Sequence, residues 1–357
     1  MRLPINFQLR RPPAVLLPLL IPISLLYGVL ASIHRALYGA GILRRRKLPR
    51  PVVSVGNLTV GGGGKTPLVM WLAHALRERG VRTAILSRGY GRRGANPRLV
   101  NSREPWELAG DEPFLMASRL VDIPVAVATD RYEAGREVLR HHDVDLFILD
   151  DGFQHRRLER DLDIVVVDHA GRFGNGRLLP AGTLREPPSR LALADIVVVT
   201  RAPGRDEVLE GVLRNLTTAP ITWTDYGSGR LLPLPGNGDR HEEQESPGPF
   251  LAFCGIANPG GFKRTLERGG FDLLDTMVFP DHHPYSGGDI HRIVERSRSL
   301  GAKALVTTEK DAVRLPAPTG SVPCFALAVE VELHGNPEAI LEPVLALVGS
   351  TSGKPLS

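Results

Sequence analysis

Cysteine is nearly absent: Cys254 and Cys324 are the only two in 357 residues, and no Cys-x-x-Cys pair occurs. That excludes a disulfide framework and a cysteine-built zinc site, and points to a reducing compartment. Aromatic residues make up only 6% of the chain, and no module that reads RNA or DNA is visible. No nucleic-acid partner is therefore expected. There is also no Asn-Lys-x-Asp guanine signature, no internal repeat and no long low-complexity tract. What remains is an ordinary folded composition, 42% hydrophobic and 23% charged, and long enough for two domains. The net charge of +5 accords with an anionic membrane or a phosphorylated substrate, and equally with arginine-favouring codon usage. Composition does not separate these.

The longest apolar run, residues 14–33, stands apart from the rest. Pro18, Pro22 and Ser24 interrupt it, Arg2, Arg10 and Arg11 precede it, and Arg35 and Arg44-Arg45-Arg46-Lys47 follow. Its length approaches what spans a bilayer. A cleaved secretory signal is discounted, since it would carry an ATP-type site to a compartment without ATP. Basic residues on both sides give no orientation. The expectation is a helix inserted in, or lying on, the cytoplasmic face of the inner membrane, backed by the basic cluster. Spanning and lying both stay open.

The most informative stretch follows: Val52-Val53-Ser54-Val55-Gly56-Asn57-Leu58-Thr59-Val60-Gly61-Gly62-Gly63-Gly64-Lys65-Thr66-Pro67. A β-branched run enters a glycine-rich turn and leaves as a helix, with Leu68, Val69, Leu72, Ala73 and Leu76 at helical spacing. This is a phosphate-binding loop: backbone N–H groups wrap the phosphates, Lys65 reaches the β/γ oxygens, and the Thr66 hydroxyl holds Mg²⁺. The nucleotide-binding set is Thr59, Val60, Gly61, Gly62, Gly63, Gly64, Lys65 and Thr66. Thr59 stands where the strict pattern has glycine. A glycine-rich hairpin with an exposed lysine is the bland reading, and the helical pattern behind the loop opposes it.

Beyond the loop, apolar runs at 82–87, 123–128, 145–149, 163–167 and 195–200 alternate with helical patterns at 111–120 and 131–141. Continuous Val/Ile/Leu runs mark strands buried on both faces. The expected fold class is therefore α/β: a P-loop-type, mostly parallel sheet with helices on both faces, spanning about 48–224. A loop or hinge is expected at 227–249, with its charged run at 239–245. Past it a smaller α/β domain over 225–333 holds strands at 250–254, 304–308 and 325–333. Segments 221–226 and 325–333 are expected to pair, and a helix at 337–347 to return to the first domain. Ligands in such sheets sit at the carboxyl ends of strands, where Ser87-Arg88, Thr129 to Arg131 and Asp150-Asp151 all fall.

The run Leu146-Phe147-Ile148-Leu149-Asp150-Asp151 ends a strand in two carboxylates, the type that attends nucleotide-bound Mg²⁺. Gly152-Phe153-Gln154-His155-Arg156-Arg157 places amide, imidazole and guanidinium groups directly behind. The metal set is Thr66 with Asp150 and Asp151, which of the two touches the ion being open. Substrate contacts are expected from Arg88, Tyr90, Arg131, Gln154, His155, Arg185 and Glu186, guanidinium forks being suited to phosphate. Glu186 would order metal waters or Arg185. On local grounds alone, Asp111 reads as a helix N-cap as readily as a catalytic group.

Several motifs in order resemble the tetraacyldisaccharide 4′-kinase family of lipid A biosynthesis. They are the loop from Val55 to Pro67, Ser87-Arg88-Gly89-Tyr90-Gly91, Gly110-Asp111-Glu112-Pro113, Asp150-Asp151-Gly152-Phe153-Gln154-His155 and Leu179-Pro180-Ala181-Gly182 with Leu184-Arg185-Glu186-Pro187. Phe279-Pro280-Asp281-His282-His283 and Thr308-Glu309-Lys310-Asp311 complete the set. The resemblance implies ATP- and Mg²⁺-dependent phosphorylation of the 4′-hydroxyl of a membrane-embedded acylated glucosamine disaccharide 1-phosphate, with no obligate protein partner. It also implies that Asp111 takes the hydroxyl proton with support from His282, while Lys65 stabilises the transferring phosphoryl group. His283 is left as structural, and Thr308 to Asp311 without a role. Two rivals are a membrane-associated ATPase switch, which usually carries a second lysine early in the loop where Thr59 and Val60 stand, and a soluble small-molecule kinase that buries residues 14–33.

Overall fold

The computed structural model describes residues 14–227, 229–234, 248–316 and 322–351. Arg2, Arg10, Arg11 and the charged run 239–245 lie outside them. Strands run β1 (Val52–Asn57), β2 (Thr83–Ser87), β3 (Arg98–Leu99), β4 (Val125–Val127), β5 (Leu146–Asp150), β6 (Leu162–Asp168) and β7 (Ile196–Thr200). They continue as β8 (Ile221–Tyr226), β9 (Arg230–Pro233), β10 (Phe250–Cys254), β11 (Leu273–Val278), β12 (Ala304–Thr308), β13 (Cys324–Ala328) and β14 (Val331–His334). The α-helices are α1 (Leu17–Gly39), α2 (Lys65–Glu78), α3 (Asp111–Arg119), α4 (Arg131–His141), α5 (Glu207–Arg214), α6 (Pro259–Arg268), α7 (Gly287–Leu300), α8 (Glu309–Val313) and α9 (Glu338–Thr351).

The chain divides into two compact units, one of Tyr226–Glu330 and the other of the residues on either side. The larger holds a nine-stranded sheet in the order β14-β8-β7-β6-β1-β5-β2-β4-β3. β1 pairs parallel with β5 on one side and β6 on the other, and β3 on β4 is antiparallel. Successive strand residues face opposite ways, and both faces are covered. Val53, Val55, Leu146 and Ile148 join Leu68, Leu72 and Leu76 of α2 and Ile340, Leu341 and Val344 of α9 in one core. Val52, Phe147 and Leu149 pack with Ala134 and Val138 of α4 on the other face. Val197 and Val199 pack there with Leu209 and Leu213 of α5. This two-sided burial is why the runs read as continuous rather than alternating.

The smaller unit is a five-stranded sheet, β11-β10-β12-β13-β9, parallel except for β9. Two expectations are corrected here. Residues 325–333 are not one strand: the chain leaves the smaller sheet as β13 and joins the larger as β14 beside β8, so one apolar run serves two sheets. The segment 227–249 is not wholly loop, because 230–233 pair with β13 as the antiparallel edge. That pairing joins residues more than 90 apart in sequence, which no local pattern records.

Helix α1 docks by one stripe only. Ser24 Oγ donates to the Leu178 carbonyl at 2.7 Å, and Tyr27 OH to the Arg185 carbonyl at 3.1 Å. Leu19, Ile23, Leu25, Leu26, Val29, Leu30 and Ile33 remain exposed. Of the basic cluster that follows, Arg46 is engaged with Glu133 at 2.6 Å and lies 4.9 Å over the Tyr132 ring.

Ile340 is fully buried between α9 and the sheet core. Ile340→Ala should lower unfolding free energy by about 2–5 kcal/mol, read as a shift of the urea midpoint at unchanged slope.

Candidate active site

β1 and β5 are neighbours, so the loops leaving their carboxyl ends emerge side by side. The loop after β1 ends at Gly64, whose φ of 83° is left-handed and which precedes α2 with no side chain capping the helix. The first-turn N–H groups of α2 therefore remain for an anion. The loop is braced from three directions. Thr200 Oγ1 donates to the Gly63 carbonyl at 2.8 Å, the Val60 N–H to the Thr183 carbonyl at 2.8 Å, and Gln154 Nε2 to the Asn57 carbonyl at 2.8 Å. Asn57 packs so closely that a Cβ on Gly63 would lie 3.0 Å from its amide nitrogen. The hydroxyl-bearing Thr66 is buried on the first turn.

At the end of β5 two adjacent carboxylates meet opposite environments. Asp151, at φ 50°, accepts from Arg185 Nη1 at 2.7 and 3.0 Å and lies 3.4 Å from Lys65 Nζ. Burial pushes its pKa up, but Lys65 and Arg185 outweigh burial and hold it below the usual carboxylate range. Asp150 is 2% exposed. Burial, then Glu112 and Asp151, push it well above that range. Ser87 Oγ donates to its Oδ2 at 3.0 Å, while Oδ1 is buried with no partner among the described residues. An unmatched buried carboxylate oxygen within the field of Lys65, with the Thr66 hydroxyl on the first turn of α2, is the oxygen chemistry that Mg²⁺ takes, the ion keeping much of its own water. Among the described residues no cluster of three or more His, Cys, Asp or Glu forms. The residues present thus fit an ion shared with phosphate rather than a protein-only cage.

Glu186 does not partner Arg185. It takes Arg156 Nη2 at 2.8 and 3.1 Å and Arg190 Nε at 3.2 Å. Arg185, held by Asp151, also reaches Gln154 Oε1 at 3.3 Å. Arg190 and Thr200 are supports that the sequence reading did not single out, and Ser87, Asn57 and Arg156 stand in its motifs without this supporting role. Thr200 left one trace, a polar residue closing the apolar run Ile196-Val197-Val198-Val199.

Asp111 is the first residue of α3, not its N-cap; Gly110 holds the cap position, and Asp111 Oδ1 accepts from the Glu112 N–H at 2.9 Å. It is 3% exposed. The loop from Arg88 to Gly91 is pressed against this helix start: a Cβ on Gly110 would meet the Tyr90 carbonyl at 2.8 Å. Arg88 and Tyr90 are exposed there. Arg131 opens α4, is 6% exposed, and donates to the Thr129 carbonyl at 3.0 Å. Burial, then the Arg88 charge, pull its pKa down to about 10. Its Nη1 lies 3.5 Å from His155 Nδ1. Arg131 Nε and His155 Nε2 are both buried without partners among the described residues, so this pair has hydrogen-bonding capacity that a ligand can use. His282 and His283 lie on the smaller unit, between β11 and α7. The His283 ring stacks on Phe279 with centroids 4.9 Å apart, and its Nε2 is 3.2 Å from Asp289.

Burial first, then the charges of Arg131, Arg160, Arg157 and Arg88, hold the His155 pKa down at about 3, against about 6.5 in the unfolded chain. Below pH 6.5 the unfolded chain binds a proton there that the folded chain refuses, so this contribution to stability is present above pH 6.5 and is lost as pH falls toward 3. His155→Gln should therefore narrow the gap between thermal midpoints at pH 7.5 and pH 5 relative to the parent protein, as read by calorimetry.

Comparison with known proteins places this geometry. Residues 16–348 match the family described as Tetraacyldisaccharide-1-P 4'-kinase. The chain is 43% identical over 310 residues to the tetraacyldisaccharide 4'-kinase of Pelobacter propionicus, covering 85% of this chain and 84% of that protein. To the Geobacter metallireducens tetraacyldisaccharide 4'-kinase it is 41% identical over 308 residues, covering 84% and 89%. It also resembles the crystal structure of LpxK from Aquifex aeolicus in complex with ATP, with a TM-score of 0.72 at 35% identity, covering 93% of this chain and 99% of that one. The chain belongs to the tetraacyldisaccharide-1-P 4'-kinase family.

Proposed function

We propose that this protein transfers the γ-phosphate of ATP to the 4′-hydroxyl of a tetraacylated glucosamine disaccharide 1-phosphate in lipid A biosynthesis, at the cytoplasmic face of the inner membrane. The observation that carries this is the braced glycine loop opening onto Lys65, with Asp151 shared between Lys65 and Arg185 and Asp150 Oδ1 unmatched beside them. Lys65 binds the β/γ oxygens, and the α2 N–H groups cradle the phosphates. Thr66 and Asp150, with Asp151 behind them, would hold Mg²⁺, which when bound neutralises charge on the β- and γ-phosphates. Arg185, already oriented by Asp151, adds positive charge toward the transferring group.

A sugar hydroxyl is a poor nucleophile until its proton is taken. Asp111 is the acceptor in this reading, supported by its burial at the start of α3, and His282 assists the proton transfer. Arg88, Tyr90, Arg131, Gln154 and His155 contact the disaccharide phosphate. The unmatched Nε of Arg131 and Nε2 of His155 support that placement. Glu186 supports the site through Arg156 and Arg190. Asp111→Ala should lower kcat by about 10²–10⁴-fold while leaving ATP affinity within about twofold, measured with radiolabelled ATP and the disaccharide 1-phosphate. Unchanged kcat would remove Asp111 from proton transfer.

The lipid-borne substrate is reached through α1. Its 23 residues, mean hydropathy 1.8 in the most apolar window, keep one stripe on the Leu178 and Arg185 carbonyls and leave the rest uncovered. A soluble kinase that buried this helix would not leave Leu26 and Leu30 more than half exposed. Burying each leucine in lipid is worth about 1.5–3 kcal/mol. Leu26→Ser with Leu30→Ser should shift the protein from detergent-dependent to salt extraction and raise KM for vesicle-borne substrate, without moving the urea midpoint. Continued need for detergent would count against α1 as the anchor.

A further inference from the structure

The Thr308-Glu309-Lys310-Asp311 segment, left without a role by its sequence, forms a buried hub in the smaller unit. Thr308 ends β12 and caps α8, and Asp311 has no exposed surface. Its Oδ1 accepts from the Gly255 N–H at 2.9 Å, Tyr285 OH at 2.9 Å and Arg314 Nη2 at 2.6 Å. Its Oδ2 accepts from Thr308 Oγ1 at 2.5 Å. The same Arg314 Nη2 donates to the Gly255 carbonyl at 3.0 Å. Asp311 and Arg314 therefore grip Gly255 by both its N–H and its carbonyl. That carbonyl is also the acceptor for the His282 N–H, at 3.0 Å.

His282 has φ 56°, a left-handed conformation that residues with side chains adopt infrequently. Such a backbone persists where its surroundings over-determine it. Here the restraint is a chain of short contacts: Asp311 and Arg314 fix Gly255, and Gly255 fixes His282. A Cβ on Gly255 would lie 2.8 Å from the Pro280 carbonyl and 3.1 Å from His283 Cβ, so the two loops touch at this point. The Phe279 N–H adds a bond to the Cys254 carbonyl at 2.8 Å. Tyr285 closes the hub, its ring packed on His283 and Phe279.

We propose that Asp311 and Arg314 are positioning residues for the reaction, holding Gly255 so that its carbonyl fixes the backbone of His282 and thereby aims the imidazole. This rests on the reading of His282 as the assistant in proton transfer. A group displaced by about 1 Å from a reacting centre loses about 10²-fold in rate. Asp311→Asn in the full-length protein should lower kcat by about that factor, with KM for ATP unchanged. Because it also weakens the partner of a buried arginine and risks the fold, Tyr285→Phe is the milder companion, expected to lower kcat about three- to tenfold through the loss of one hydrogen bond.

Each variant is placed in both the parent and the His282→Ala backgrounds, with thermal midpoints recorded throughout. The expected result is a loss in the parent background and less than about twofold further loss once His282 is gone. Equal fold losses in both backgrounds, with His282→Ala itself impaired, would show that the hub acts on the fold at large and would overturn this assignment alone. Full activity of His282→Ala would overturn the reading of His282, and the assignment with it. If Asp311→Asn does not fold, the Tyr285→Phe cycle decides by the same criteria.

Discussion

A carboxylate held between two cations is the interaction on which the larger unit's site depends. Asp151 lies at the end of β5 against Lys65 at the start of α2 and Arg185 from a loop far along the chain. The three come together because β1 and β5 pair parallel, bringing the loop after one strand beside the turn after the other. Removing that pairing would leave Lys65 without its counter-charge and Arg185 without its orientation. Side-chain pairs of this kind matter more in a part-buried cleft than on an open surface, since less water screens them.

Adjacent positions in the chain acquire opposite chemistry from their surroundings. Asp150 closes the interior strand β5 beside Ser87 of β2, where burial and neighbouring carboxylates favour the protonated form in the absence of a cation. Asp151 turns toward Lys65 and Arg185 and stays ionised. A divalent cation would invert the preference at Asp150, because a bound ion is the largest local charge in such a site. The pair Arg131 and His155 repeats the theme with the opposite sign: burial and crowded guanidinium groups favour the neutral imidazole. These groups are costly to desolvate, and the fold keeps them with unmatched polar atoms, as a site prepared for charged ligands requires.

Behind the groups that would touch substrate stands a layer of side chains that hold them. Thr200 from β7 and Thr183 hold the glycine loop, Arg156 and Arg190 occupy Glu186, and Ser87 orients Asp150. The apolar helix α1 is fastened to the backbone of residues 178 and 185, and so to the segment that carries Arg185. In the smaller unit Asp311 does comparable work around Gly255 and His282.

Much of this was legible in the residues alone. The glycine loop ending in Lys65-Thr66, the apolar strand ending in Asp150-Asp151 and the βαβ rhythm are local patterns whose spacing reflects backbone geometry, and the parallel sheet follows from them. The uncovered apolar length of α1 was legible for the same reason. Tertiary structure decided what lay far apart in sequence: that Asp151 rather than Glu186 meets Arg185, that Gly110 rather than Asp111 caps α3, that residues 325–333 divide between two sheets, and that 230–233 form an edge strand. Periodicity and motif spacing report on a chain's own turns and strands. Partners brought together by folding are chosen by packing and charge across space, and those leave no fixed interval to read.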